Sequence, residues 1–151
     1  MSKFDGLLND TLPVLNFEFE TEGENAGIPV PPNQGEGCEL VGSQTQRDTK
    51  IHMTHVWFTA DDEAHPWVGE HVHDYDEVLI WTGSDPENPR DLGAQLTMTI
   101  DGEARVITRS GSIYIPAGVK HCPLSVDRVT RPFTFSALSI APDYSATPSG
   151  A

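Results

Sequence analysis

Short runs of alternating or β-branched apolar residues recur along the chain from residue 50 onward. Such runs are typical of β-strands, in which side chains point alternately to the two faces of a sheet. Helical periodicity is weak, apart from a short run at residues 4–8. Six stretches are predicted to form strands: residues 51–59, 72–81, 95–100, 103–108, 112–115 and 132–140. The pattern therefore predicts an all-β domain, either a sandwich or a barrel.

Turn signals separate these predicted strands. A tight turn at residues 74–76 should divide the stretch at 72–81 in two. The pair Asp101-Gly102 between two alternating runs predicts a two-residue hairpin. The polar segment at residues 83–93 contains two prolines and three acids, so we expect a loop there.

Residues 1–46 differ from the rest of the chain because glycine and proline punctuate them. We predict an irregular arm with one short strand at residues 14–19, and not a separate domain. Two interpretations stay open: a partly ordered tail, or an arm that covers the barrel or a neighbouring subunit. Residues 47–145 should form the barrel, and residues 146–151 a C-terminal tail.

The composition excludes several classes of partner. The 151 residues include 9 Lys and Arg against 23 Asp and Glu, for a net charge of −14. That charge repels nucleic acid and anionic membrane surfaces. No apolar run approaches the ~20 residues that cross a bilayer, and the first residues lack the layout of a secretory signal. With only two cysteines, we expect a cytoplasmic protein without a disulfide framework.

Three histidines and one glutamate carry the candidate chemistry. His71 and His73 lie one residue apart, Glu77 follows four residues later, and His121 lies far downstream. The period of two in a strand places His71 and His73 on one face. Three imidazoles and a carboxylate that converge on one point form a transition-metal site. The pattern predicts such a site.

The spacing of these residues resembles the cupin family. His71-x-His73-x-x-x-Glu77, followed by Gly83, is similar to the first cupin motif. The segment from Gly111 through Pro116 and Gly118 to His121 is similar to the second. The resemblance spans roughly residues 50–140. It implies an all-β double-stranded β-helix, or jelly-roll barrel, that holds one divalent metal through His71, His73, Glu77 and His121.

The sequence departs from the family's pattern at three positions. His65 stands where the first motif usually has a glycine, and Gly83 comes one residue early. Ser125 stands where the second motif usually ends in asparagine. These departures affect the expected strand ends more than the expected ligands.

The resemblance also implies a function. The ligand types suit Fe, Mn, Ni, Co, Cu or Zn and do not choose among them. We expect a metal-dependent enzyme that acts on a small-molecule substrate, with dioxygenase-like oxidation slightly favoured. The alternatives are a non-redox isomerase, lyase or decarboxylase, a non-catalytic module that binds metal or a small ligand, and an interaction protein with incidental histidines. Because cupins are commonly dimers, we expect a homodimer.

Two further residues are candidates for catalytic roles. Tyr75 lies between the second histidine and the glutamate, so its hydroxyl either reaches a substrate or faces solvent. Arg105 should pair opposite Met98 on an otherwise apolar face, where its guanidinium would clamp a substrate carboxylate. The favoured alternative for Arg105 is a side chain that extends into solvent at the barrel edge.

Other polar residues near these motifs receive plainer interpretations. His52 and His55 lie three apart, face opposite sides of one strand, and are interpreted as ordinary sheet residues. Lys120 and Cys122 flank His121 and should point away from the metal. Asp76 is interpreted as part of a solvated turn.

Overall fold

A computed structural model describes residues 2–15, 28–46, 48–143 and 147–148. Within those ranges the chain forms eleven strands and no helix. The strands are β1 (Cys38–Val41), β2 (His52–Phe58), β3 (His65–Val68), β4 (His71–Val72), β5 (Glu77–Gly83), β6 (Asp91–Ile100), β7 (Glu103–Arg109), β8 (Gly111–Ile115), β9 (His121–Val129), β10 (Phe133–Ser139) and β11 (Thr147–Pro148).

The strands form two antiparallel sheets. The first sheet has the order β1-β2-β10-β5-β8, and the second has the order β11-β4-β9-β6-β7, with β3 also paired to β9. Neighbours such as β2 and β10 are far apart in sequence, so the chain repeatedly crosses from one sheet to the other. This is the jelly-roll arrangement, which confirms the predicted fold class.

The register of the first sheet gives the barrel one aromatic end and one polar end. Phe58 pairs with Phe133 at one end of β2 and β10, and their rings stack with centroids 5.2 Å apart. The rings of Trp67 and Phe135 extend this cluster at centroid distances of 4.8 Å. Burial of each such side chain stabilises the fold by roughly 1.5–3 kcal/mol. At the opposite end, His52 pairs with Ser139, and both are buried.

The predicted hairpin and the predicted break at residues 74–76 are both confirmed. Ile100 pairs with Glu103 across a turn in which Asp101 and Gly102 have φ angles of 45° and 85°. The predicted pairing of Met98 with Arg105 is also present. The polar loop is shorter than predicted, because β6 already begins at Asp91, whose carboxylate accepts a 2.6 Å hydrogen bond from Arg131.

The sequence analysis missed four strands: β1, β3, β9 and β11, the last of which lies in the predicted C-terminal tail and pairs with β4. The omission of β9 matters most, because β9 is the centre of the second sheet. Pro123 interrupts its apolar pattern and has no N–H for a ladder hydrogen bond. The strand accommodates this proline where the register between β6 and β9 shifts.

The N-terminal segment lies against the first sheet where the structure describes it. The N–H of Gly35 donates to the Trp57 carbonyl at 2.7 Å, and Val14 forms an isolated bridge with Cys38. Most of the strand predicted at residues 14–19 lies outside the described residues. The helical run expected at residues 4–8 is a single turn, closed by a 3.0 Å hydrogen bond from the Leu8 N–H to the Phe4 carbonyl. In the part of the chain that the structure describes, no helix is long and apolar enough to span a bilayer.

Candidate metal centre

The four candidate ligands reach the barrel interior from both sheets. His71 begins β4 and His121 begins β9, and the two are paired directly in the second sheet. Glu77 begins β5 in the first sheet, so the chain passes between the sheets just after His73. Glu77 therefore approaches the centre from the sheet that faces the strands of His71 and His121. All four side chains are buried.

The ligand atoms of these residues converge on one point. All four atoms lie within 4.8 Å of one another. His73 Nε2 lies 3.1 Å from His71 Nε2 and 3.4 Å from Glu77 Oε2, and His121 Nε2 lies 3.3 Å from Glu77 Oε1. Ligands bound at ~2.0–2.2 Å to one ion are separated by about 3.0–3.5 Å when they are adjacent. The spacing fits a single metal ion.

Backbone carbonyls fix the tautomers of two of the histidines. His71 Nδ1 lies 2.8 Å from the Gly69 carbonyl, and His121 Nδ1 lies 3.0 Å from the Val119 carbonyl. Because a carbonyl only accepts, each Nδ1 carries a proton, which leaves Nε2 as the atom that presents a lone pair to the centre when the ring is neutral. His121 Nε2 is buried and makes no hydrogen bond with the described residues. A cation would satisfy this orphaned atom.

The electrostatics give the charge states that a metal site requires. Burial, followed by the neighbouring His121, lowers the pKa of His71 to about 4, so this ring is neutral near pH 7. Burial raises the pKa of Glu77, but the adjacent nitrogens of His121 and His73 outweigh it and hold the pKa well below its usual range. Neutral imidazoles and an ionised carboxylate are the forms that bind a divalent cation.

The turn of the second motif holds the first motif in place. The N–H of Gly118 donates to the His73 carbonyl at 2.8 Å. Asp76 accepts a 2.8 Å hydrogen bond from the Ala117 N–H and another from the Tyr114 hydroxyl. Asp76 lies at the end of the solvated turn, as interpreted, and its carboxylate in addition links the two motifs. No local pattern marks this role, since its partners lie about forty residues downstream.

Tyr75 packs directly on a candidate ligand. Its ring stacks on the His73 ring with centroids 4.7 Å apart and planes 22° apart, and the side chain is half-buried. The contact restrains the His73 imidazole. The planes of the His71 and His73 imidazoles are 75° apart. A regular strand would hold the two rings roughly parallel, but His73 lies beyond the end of β4.

Arg105 lies apart from the four ligands. Its side chain is 77% exposed on β7. It borders a different groove, of about 400 Å³, whose other walls include Trp81, Met98 and Ile113. A catalytic role for Arg105 stays a prediction, and its position agrees with the alternative of a side chain at the barrel edge.

Cys122 is buried and borders the cavity beside the candidate metal centre, whereas strand alternation predicted that it would point away from the metal. The residue has a φ of 67° and lies at the register shift of β9, so alternation fails there. Cys122 and His121 are consequently both buried and both border the same cavity. Lys120, on the other side of His121, is exposed as expected.

A cavity of about 90 Å³ adjoins the candidate metal centre. Ligands His71, Glu77 and His121 border it, together with His52, which sequence reasoning had treated as an ordinary sheet residue. Three residues of the N-terminal segment also border it: Leu15, Gln34 and Gly37. The other walls are mainly apolar and include Trp67, Val68, Leu79, Leu124 and Phe135. The site therefore offers room for a small molecule beside the four ligands.

Comparisons with known proteins find likeness in structure alone. No protein-family model and no curated protein matches the sequence. The polyketide cyclase RemF from Streptomyces resistomycificus is 12% identical, with 86% of this chain and 80% of that one covered at a TM-score of 0.52. A recombinant oxalate oxidase in complex with glycolate is 14% identical, with 97% of this chain and 68% of that one covered at a TM-score of 0.51. An RmlC-like cupin from Shewanella frigidimarina is 15% identical, with 76% of this chain and 82% of that one covered at a TM-score of 0.42.

Proposed function

Since the chain has the cupin fold, we propose that it is a metal-dependent enzyme that acts on a small organic molecule inside the barrel. One observation carries this proposal. Three imidazoles and one carboxylate, all buried, direct their ligand atoms to a common point at spacings that suit one ion. A buried set of this kind is costly without a cation, because polar atoms such as His121 Nε2 stay unsatisfied.

The donor set suits Fe, Mn, Ni, Co, Cu or Zn. Such an ion supplies Lewis acidity and open coordination positions for an oxygen-donor substrate, and iron in addition supports oxygen chemistry. The chain's own residues would bind the ion and orient the ligand atoms around it. The Gly69 and Val119 carbonyls hold His71 and His121 in the required tautomer, and Glu77 contributes the negative charge.

The cavity supports a small substrate. Its volume of about 90 Å³ is well below the ~300–1,000 Å³ of pockets that hold drug-sized ligands. Its walls are mainly apolar beyond the metal ligands, with Trp67 and Phe135 among them. These walls would exclude bulk water and strengthen polar interactions at the centre.

Oxidation of the substrate by dioxygen is the chemistry that we favour. The preference comes from the resemblance of the ligand pattern to the cupins, in which oxygenases are common. A structurally similar protein is an oxalate oxidase, which agrees with this preference. The second candidate is non-redox Lewis-acid chemistry, such as isomerisation or cleavage, and the similarity to a polyketide cyclase favours it.

Metal analysis tests the binding step. Protein purified without a histidine tag should contain close to one transition-metal ion per chain. The His73→Ala variant should lose it, whereas His55→Ala, which removes a half-buried histidine that is not among the four ligands, should keep it. Equal metal content in wild type and His73→Ala would refute the proposed site.

Turnover assays then separate the two chemistries. The metal-loaded protein is incubated with a panel of diketones, catechols, thiols and sugar acids, with and without dioxygen. Oxygen consumption that tracks product formation supports a dioxygenase, and turnover under anaerobic conditions supports Lewis-acid chemistry. Metal bound without turnover of any panel member would favour a non-catalytic binding module.

A further inference from the structure

A second group of buried polar residues borders the cavity beside the four ligands. In the first sheet, Ser139 on the central strand β10 pairs with His52 of β2 on one side and with Glu77 of β5 on the other. All three residues are buried. Neighbouring strands lie ~4.8 Å apart. A row of inward-facing polar side chains therefore runs from the metal carboxylate across two strands to His52.

The buried carboxylate of Glu39, on the neighbouring strand β1, lies beside the His52 imidazole. Glu39 of β1 is 2% exposed, and its Oε1 lies 3.4 Å from His52 Nε2. Gly42 makes the space for this pair, because a Cβ at that position would lie 2.2 Å from Glu39 Oε1 and 2.7 Å from His52 Cδ2. The Glu39–His52 pair is thus a built feature of the barrel interior. It is remote in sequence from both metal motifs.

Two polar atoms of this group have no hydrogen-bond partner among the described residues. They are the Ser139 hydroxyl oxygen and Glu39 Oε2. Ser139 is 1% exposed and borders the cavity together with His52. A buried hydroxyl without a partner costs free energy, so it is usually satisfied by water or by a ligand.

From this arrangement we propose that Ser139 and His52, with Glu39 behind His52, form a subsite that binds a hydroxyl group of the substrate while another part of the substrate contacts the metal. This subsite rests on the proposed metal-dependent function and narrows the substrate to a small hydroxyl-bearing molecule. A hydroxyl both donates and accepts, so it can pair with the serine oxygen and the imidazole together.

The local charges favour a neutral group over a carboxylate. Burial lowers the pKa of His52 in spite of the neighbouring Glu39, so the ring is neutral near pH 7 and offers no positive charge. The carboxylate of Glu39 lies beside the subsite, in a chain with a net charge of −14. A second anion bound there would meet like charges.

A series of matched hydroxamates tests the subsite. A hydroxamate chelates a bound metal, and its tail then extends into the cavity. Tails of one, two or three methylene groups that end in a hydroxyl are compared with isosteric tails that end in a methyl, by calorimetry on the zinc-loaded full-length protein. The three lengths place the terminal group at different distances beyond one strand spacing of ~4.8 Å.

We expect at least one hydroxyl tail to bind roughly tenfold more tightly than its methyl counterpart. Ser139→Ala and His52→Gln should remove this preference without changing the zinc content or the affinity for the methyl series. Ser136→Ala is the matched control: it makes the same change on the same strand but on the opposite face, where Ser136 pairs with His55. The control should keep the preference.

The outcomes of this experiment separate the hydroxyl-binding subsite from the metal centre on which it rests. Equal affinity of hydroxyl and methyl tails at every length, with zinc and hydroxamate bound, overturns the subsite and leaves the metal centre standing. The same holds if Ser139→Ala and His52→Gln both retain a preference seen in the wild type. Failure to bind zinc or any hydroxamate overturns the metal centre together with the subsite that rests on it.

Discussion

The metal-free protein should lose stability in mild acid because of His71. Burial and the neighbouring His121 lower the pKa of this ring in the folded state to about 4, against 6.5 for an unperturbed histidine. The unfolded chain therefore binds the proton more tightly than the folded chain. Stability is unaffected well above pH 6.5, falls as the pH drops through the window from 6.5 to 4, and levels off below it.

The size of the loss follows from this difference in pKa. Between pH 7 and pH 5, linkage predicts that His71 alone lowers the free energy of unfolding by about 2 kcal/mol. For a domain of this size, that corresponds to a drop in melting temperature of about 4–8 °C. Glu77 adds little in this range. Its lowered pKa contributes stability that is lost only below the unfolded value of 4.5.

The assay is urea unfolding of chelator-treated protein at pH 7 and pH 5, followed by tryptophan fluorescence. His71→Asn removes the titrating ring, so its two unfolding free energies should differ by about 2 kcal/mol less than those of the wild type. Val72→Ala, on the same short strand β4, is the control. It should lower stability equally at both pH values. An unchanged pH dependence in His71→Asn would refute the reasoning.

Three further predictions concern the supports of the site and the assembly. Gly42→Ala should lower the free energy of unfolding by about 1–2 kcal/mol through overpacking against the Glu39 carboxylate and the His52 ring. Part of this loss should vanish when Glu39→Ala is present, as a double-mutant cycle in urea would show. Asp76→Ala should weaken zinc binding about 10–100-fold, because it frees the turn that contacts His73. A competitive chelator titration measures this, with Asp62→Ala as a surface control, and an unchanged zinc affinity of Asp76→Ala would contradict the link between the two motifs. We propose a homodimer, in which exposed side chains of the N-terminal segment such as Phe4, 67% exposed, become covered; a monomeric mass by light scattering at micromolar concentration would exclude it.

The sequence predicted local features well where neighbours in the chain determine them. The hairpin at Asp101-Gly102 is confirmed because two adjacent residues supply the positive φ angles that a tight turn needs. The all-β fold is confirmed because side-chain alternation is a property of each strand by itself. Both depend on interactions within a few residues, which a linear pattern records.

Features that depend on pairing between distant segments were missed. Strand β9 contains Pro123, and its pairing with β3, β4 and β6 keeps it extended. Cys122 turns inward because of the register shift there. The Glu39–His52 pair joins a residue of the N-terminal segment to the second strand, and neither position has a distinctive local pattern.

The sequence by itself determined which side chains can bind a metal, since residue types and spacing specify donors and strand faces. The tertiary structure decided how those donors meet. Glu77 approaches from the facing sheet, backbone carbonyls select the histidine tautomers, and Asp76 links the two motifs. The physical reason is that hydrogen bonds and burial act between residues that are close in space, whatever their separation along the chain.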